Sequence, residues 1–519
     1  MKLRRLWMLV SVTNLASFVP AIAQEPQLPK GFQAVGADHA ADLQKLCRAT
    51  ADTGLFSGAV LVSLDGRVIY KDAFGLANRE WNIPNTTDTK FRLASVSKQF
   101  CSMLVLQLIQ EGRINLEDTI TDHLPYYRKD TGQLITIHHL LSHQSGIKDF
   151  TSAFDYRQTV SRLSFEKDDF IKLHCSGDLI HEPGTLYSYC NAGYCILGRI
   201  IEKVTHKTFE QNLHQRIFEP LGMNNSGYDR NHKVIEKRAS GYTRGPFEVK
   251  NAAYMDMDSS PGAAGSLYST VEDMFLWDRA LYTDKLLNQK YRDIMFTPNS
   301  NVPEVKAAGG RPQSVYGYGW QIVNRTHPVT KHRTKLIKHG GAINGFRAME
   351  IRLPEDNAFV IVLCNQSDPV GSSRVWNAVL RLGDGLVDIV TGQPFRLPGP
   401  PPVPQEQRMY RMVLDQNVET AIEWFRTKGK KAAWGGTNFA VAEQLLKVGR
   451  IEDGLRLMEL EIELTPKKVW VLRKTARAHL DCGFPERALD ILNQALTLKP
   501  DDESLLGMKV EAEQALERD

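Results

Sequence analysis

The spacing of hydrophobic residues changes character along the chain. From Phe56 onward the pattern is that of strands. "GAVLVSLDGRVIYKDAFG" (58–75) sets two β-rich runs on either side of Asp65-Gly66, a hairpin signal. Residues 96–111 are apolar on almost every side, which predicts a helix running through the middle of a domain. Mixed helical and loop patterns continue to about residue 300. Strand-like runs then return in "YGYGWQIV" (316–323), "TKLIKHGG" (334–341), "GFRAMEIRL" (345–353) and "AFVIVLCN" (358–365). Strands at both ends with helices between predict an α+β fold. One antiparallel sheet is assembled from the two ends of a domain and flanked by helices, with a helical region beside it.

"RLPGPPPVPQEQ" (396–407) interrupts this pattern and reads as a stiff, extended linker. The expected division is a domain over 24–395, the linker, and an all-α segment over 408–519. Within that last segment Gly449 and Gly483, Leu464 and Leu498, and Pro466 and Pro500 are each 34 residues apart. Gly454 stands where Ala488 stands, at the small position where two helices pack closely. This period resembles the tetratricopeptide repeat, with "NVETAIEWF" (417–425) as part of an earlier, imperfect copy. Such a short array is expected to dock on the rest of the chain or on a protein partner.

Composition narrows the functions. A chain of 519 residues, 42% hydrophobic and 24% charged, predicts a soluble globular protein of more than one domain. "MKLRRLWMLVSVTNLASFVPAIAQ" has a basic start, a short apolar middle and small residues at Ala21 and Ala23. That is the layout of a signal peptide cleaved after Ala23, which predicts a secreted or periplasmic protein. Asn14 and Pro20 interrupt the apolar run, and no later stretch is long and apolar enough to span a membrane. Without residues 1–23 the formal charge falls from +4 to +1, so nothing argues for nucleic acid or anionic lipid as a partner. Seven scattered cysteines make no zinc spacing and are read as small buried hydrophobes.

Candidate chemistry begins at "RLASVSKQF" (91–99). Ser95 and Lys98 are one helical turn apart, at the head of the apolar helix. A lysine amine buried there loses basicity through desolvation, and the helix N-terminus favours negative charge developing at Ser95. The same spacing in Ser145/Lys148 and Ser164/Lys167 lacks a buried helix behind it, so context selects Ser95. Downstream lie Tyr189-Cys190-Asn191 and His339-Gly340-Gly341, in that order. Each is weak alone. The ordered set of Ser-x-x-Lys, Tyr-x-Asn and His-x-Gly points to nucleophilic acyl transfer.

"ASVSKQF", "PGTLYSYCNAGYCILGRIIE", "ITIHHLLSHQSGI", "GAAGSLYSTVEDMFLW" and "HGGAINGF" together resemble the serine β-lactamase and penicillin-binding-protein superfamily, over roughly residues 40–390. Its class C β-lactamase-like branch, with esterases, D-aminopeptidases and carboxypeptidases, is the nearest in pattern. The resemblance implies that Ser95 is the acylated nucleophile and Lys98 its proton relay. Tyr189 is then the general base, acidified by Lys98 and His339, and Asn191 binds the substrate's amide and helps hold Lys98. The oxyanion hole falls to the N–H groups of Ser95 and Ala342, with His339 and Gly341 on the substrate-binding strand. No metal or organic cofactor is implied. Where many members carry Lys-Thr-Gly this chain has His339-Gly340-Gly341, which weakens the anchoring of a substrate carboxylate and disfavours β-lactam hydrolysis.

The expected substrate is therefore a small molecule or peptide with an ester or amide, D-amino acids included. The contrasting readings are a true β-lactamase, a non-catalytic sensor that binds cell-wall fragments, and a metallohydrolase built on His139 and His143. The last lacks the glutamate of His-Glu-x-x-His, because residue 140 is leucine. "STVED" reads as a capping box from Ser269 to Glu272, and Cys190 as structural.

Overall fold

The hairpin at Asp65-Gly66 forms as the pattern predicts. Gly58–Leu64 (β1) and Arg67–Phe74 (β2) pair antiparallel, and both turn residues have positive φ, as a two-residue turn that follows the strand twist requires. The computed structural model describes residues 28–152, 156, 159–298, 314–369, 372–429 and 436–517, so the expected leader at 1–23 lies outside the described residues. Ser314–Tyr316 (β3), Gln321–Thr326 (β4), Arg333–Ile343 (β5), Phe346–Leu353 (β6) and Ala358–Cys364 (β7) complete a seven-stranded sheet of order β3-β4-β5-β6-β7-β1-β2. Every pairing in it is antiparallel. β7 pairs with β1 from Phe359↔Ser63 to Cys364↔Gly58, which joins the two ends of the domain.

Side chains alternate across each strand, and both faces of the central strands are buried. Val60, Val62, Val360 and Val362 pack under His39–Asp52 (α1) through Leu43 and Leu46. Ala59, Leu61, Ile361 and Leu363 face the opposite way, into a larger cluster with Phe100, Leu104, Ile196 and Trp277. Those residues lie on Lys98–Gln110 (α2), Asn191–Thr205 (α3) and Val271–Ala280 (α4). On the first face Arg374–Val390 (α5) lies beside α1, with Val379 and Leu386 buried. Every residue of α2 from Lys98 to Leu108 is buried, which explains its lack of a polar face.

Three expectations change. Residues 316–323 are not one strand, because Gly317–Trp320 turns the chain between β3 and β4. Gly319 has φ +83° there, and a Cβ on it would sit 3.0 Å from the Lys98 carbonyl, so the turn lies directly on α2. The cap of α4 is Thr270, whose hydroxyl accepts from the Asp273 N–H at 3.2 Å. Ser269 instead ends strand Leu267–Ser269 and meets the Ser226 hydroxyl at 2.7 Å. Residues 397–404 carry no helix or strand, but a helix already starts at Gln405, inside the expected linker.

Among the described residues seven α-helices follow: Gln405–Asp415 (α6), Val418–Trp424 (α7), Thr437–Lys447 (α8), Ile451–Leu464 (α9), Val469–Asp481 (α10), Pro485–Leu498 (α11) and Glu503–Leu516 (α12). Both ends of α9 and α11 are offset by 34 residues, and Gly449 and Gly483 take φ +77° and +80° in the turns before them. Among the described residues, this helical region meets the rest of the chain at the hairpin of Tyr242–Arg244 with Val249–Asn251. At its tip Phe247 packs on Tyr410 at 5.4 Å, Lys447 pairs with Glu248 at 2.8 Å, and Gln407 donates to the Pro246 carbonyl.

One buried ion pair ties sheet to helix. Arg352 on β6 donates to Asp278 on α4 at 2.6 Å, with both side chains almost fully inaccessible. Arg352→Met leaves that carboxylate buried with Arg279 as its remaining cation, so urea unfolding of the full chain should show a loss of about 3–5 kcal/mol. A loss below about 1 kcal/mol would mean that packing alone holds this junction.

Candidate active site

Ser95 lies in a single 3-10 turn, Ala94–Ser97, that leads into α2. Ala94 before it has φ +51°, an uncommon conformation for a non-glycine residue and a local strain at the head of the helix. Lys98 follows as the first residue of α2 and is wholly buried. Its Nζ reaches Ser95 Oγ at 3.2 Å, Asn191 Oδ1 at 2.8 Å and the Ala264 carbonyl at 2.9 Å. Those partners come from three separate segments and match the three hydrogens of an ammonium. The Tyr189 and Tyr194 rings lie 5.0 and 5.5 Å from the nitrogen. Desolvation lowers the amine to about 8, against the opposing pull of Asp149 and the nearby thiols.

Tyr189 lies beside Ser95, but its phenol is not acidified. Burial raises it well above the ordinary tyrosine value, and the neighbouring Ser95 hydroxyl only partly opposes that. His339 cannot supply the expected help. Desolvation, with Lys98 nearby, lowers it to about 3, so it is neutral. Its Nδ1 faces the Gly340 carbonyl at 2.7 Å and its Nε2 the Tyr316 hydroxyl at 2.9 Å, which makes Nδ1 the protonated nitrogen. No hydrogen bond joins His339 to Ser95 or Tyr189, and the His339 and Tyr189 rings stand 6.2 Å apart.

The His-Gly-Gly stretch acts through its missing side chains. A Cβ on Gly341 would lie 2.1 Å from the Leu93 carbonyl, so glycine lets β5 close against the turn that carries Ser95. A Cβ on Gly340 would lie 2.6 Å from the Trp376 ring, so the indole fills the place a threonine would need. The result is a cleft of about 190 Å³ with Ser95, Asn191 and Ala342 on its wall, and with Thr151, Arg347 and Asp368 farther along.

Four contributors were not read as part of this site. The Ala264 carbonyl is backbone, Tyr316 read as a strand residue, His143 was weighed only as a metal ligand, and Asp149 lies just past the family-like stretch 135–147. Asp149 accepts the Asn191 N–H at 2.9 Å and its Nδ2 at 3.1 Å. His143, at φ +59°, accepts the Cys190 N–H on Nδ1 at 3.1 Å and the Ser188 N–H on its carbonyl at 2.8 Å. Its ring lies 4.3 Å from Tyr189, so it braces the Tyr-x-Asn segment. Cys190 points the other way, its thiol donating to the Ile147 carbonyl at 3.3 Å, and all seven cysteines are free thiols. His139 accepts the Thr136 N–H at 3.2 Å, and among the described residues no cluster of three His, Cys, Asp or Glu could hold a metal.

The fold is that of the serine hydrolases related to β-lactamases and penicillin-binding proteins. Residues 42–384 match the family Beta-lactamase, and the chain belongs to that family. It is 27% identical to penicillin-binding protein 4* of Bacillus subtilis over 372 residues, 69% of this chain and 78% of that one. A penicillin binding protein of Bacillus halodurans is 27% identical, with a TM-score of 0.54 over 64% of this chain and 97% of its own. The D-amino acid amidase of Ochrobactrum anthropi is 25% identical, with a TM-score of 0.59 over 68% and 99%.

Gly341→Ala should destabilise the chain by about 1–3 kcal/mol, because its methyl group overpacks against backbone that cannot rotate away. Gly177→Ala, which meets nothing within 4 Å, should stay within about 0.5 kcal/mol in the same melts. Equal effects would remove the argument that glycine is needed for this closure.

Proposed function

We propose that this chain is an exported serine hydrolase that cleaves esters or amides, including those of D-amino acids, through an acyl-enzyme on Ser95. The observation that carries the reading is the Lys98 amine, fully buried, lowered to about 8 and 3.2 Å from Ser95 Oγ. In its neutral form the amine takes the Ser95 proton as Oγ bonds to the acyl carbon. The N–H groups of Ser95 and Ala342 are the candidate donors to the oxyanion. As the tetrahedral adduct collapses, Tyr189 passes a proton to the departing nitrogen or oxygen and regains one from the Lys98 ammonium. Water then attacks the ester carbon as Lys98 takes its proton, and collapse of this second adduct breaks the bond to Oγ, which takes the proton back from Lys98 and frees the acid and Ser95.

The raised Tyr189 phenol supports this order, with lysine as base and tyrosine as relay, over a tyrosinate base. Neutral His339, and a glycine in place of a threonine hydroxyl, argue against a carboxylate-anchored β-lactam. The class C-like branch fits the His-x-Gly variant, and the likeness to a D-amino acid amidase supports an amide or ester substrate. The 34-residue offset supports a tetratricopeptide-like reading of α8–α12, with the hydrolase portion over 24–395 and the connection at 396–407. The layout of residues 1–23 supports export to the periplasm or medium.

A fluorophosphonate should add mass at Ser95, and Ser95→Ala should abolish both labelling and p-nitrophenyl ester hydrolysis. The profile of kcat/KM should rise with pH and level off above about 8, as Lys98 loses its proton. Lys98→Met should lower the plateau by about 10²–10⁴. Hydrolysis that survives Ser95→Ala would end this reading.

A further inference from the structure

The carboxamide of Asn191 is already engaged on every side. Its Oδ1 takes the Lys98 hydrogen, while Nδ2 faces Asp149 Oδ2 at 3.1 Å and Thr151 Oγ1 at 3.5 Å. An ionised carboxylate accepts hydrogen bonds but cannot donate them. Asp149 therefore fixes which end of the amide is nitrogen, and so keeps the oxygen turned to Lys98. The Thr151 hydroxyl donates to Asp149, which leaves its lone pairs to receive the second amide hydrogen. Asp149 also takes the Asn191 backbone N–H at the start of α3, so the latch is anchored in the scaffold. The same resemblance that points to Ser95 assigns this asparagine to the substrate's amide carbonyl. Here both hydrogens that would make that contact have protein acceptors.

We infer that Asp149 is a positioning residue that, with Thr151, latches Asn191 onto Lys98, and that the enzyme consequently takes acyl donors without reading an acylamino group beside the scissile carbonyl. This rests on the serine-hydrolase reading above and narrows its substrate class to simple or free-amino acyl groups. A second consequence concerns Lys98. It is surrounded by Ser95, Tyr189, Tyr194, His143, His339, Cys101, Cys190 and Cys195, and Asp149 brings a carboxylate to that surrounding. Its negative charge favours the ammonium, so removing it moves the lysine limb of the rate profile to lower pH.

The test compares p-nitrophenyl propionate with the p-nitrophenyl ester of N-acetyl-D-alanine, each rate divided by that ester's spontaneous hydrolysis. In the wild-type full chain the acetamido group should change kcat/KM by less than about threefold. In Asp149→Ala/Thr151→Val, which removes both side-chain acceptors, the N-acetyl ester should gain about tenfold, the worth of one hydrogen bond. The rising limb should shift to lower pH in the same variant. Fluorophosphonate labelling of Ser95 in each preparation separates the two hypotheses. A labelled wild-type enzyme that prefers the acetamido ester by about tenfold or more overturns the latch and leaves the hydrolase standing. Absence of labelling removes both. A labelled variant with unchanged ester ratio and unchanged limb also overturns the latch. Should the variant fail to fold, the wild-type ratio decides alone.

Discussion

The molecule is organised around one buried amine. Removing a lysine ammonium from water costs several kcal/mol, and the fold must return most of that through directed partners. Lys98 finds them in Ser95, in Asn191 at the start of α3, and in the Ala264 carbonyl. Each lies in a different segment, so the site exists only when the 3-10 turn, α3 and the 262–264 turn are all in place. This also explains why α2 has no polar face. A helix that delivers an amine to the floor of a cleft must itself be enclosed, and cluster residues from both helices and sheet surround it. The incomplete compensation is what remains as chemistry: an amine lowered to about 8 is a usable base near neutral pH.

The second constraint is closeness of backbone. Three glycines let main chain pack where a side chain would hold it off: Gly319 over α2, Gly341 against Leu93, and Gly340 under Trp376. Their consequences differ. Gly319 seats the turn between β3 and β4 on α2, and Gly341 draws β5 onto the turn that carries Ser95. Gly340 faces the α1/α5 side of the sheet, where the Trp376 indole covers it, away from the cleft. His339, buried and neutral on β5, adds no positive charge here, whereas Arg347 lines the cleft.

The sequence disclosed those features that local pattern controls. Alternation located five of the seven sheet strands closely, because strands buried on both faces leave long apolar runs. The order of Ser95, Lys98, Tyr189 and Asn191 gathered residues that do converge in space. What escaped was set by burial and by backbone. The direction of the Tyr189 shift depends on how much water reaches its hydroxyl, which no motif encodes. The Ala264 carbonyl has no residue-type signature at all. Asp149 was hidden for a subtler reason. A carboxylate in a loop is usually solvated, and only the fold reveals that Asn191 turns both its backbone and its side-chain N–H toward it.

The helical region obeys the same logic at lower resolution. It grips the hydrolase portion at Pro246, Phe247 and Glu248, the tip of a hairpin. The other end of that hairpin pairs in parallel with Gln366–Ser367, and Ser367 lines the cleft and accepts the Gly345 N–H at 3.1 Å. One short ribbon thus has its outer end embedded among α6 and α8 and its inner end in the wall of the site. Phe247 is an apolar side chain at a polar loop tip, and its packing on Tyr410 gives it a buried partner that the hydrolase portion does not supply. The hairpin therefore connects the helical region, through its pairing with Gln366–Ser367, to one residue of the cleft wall.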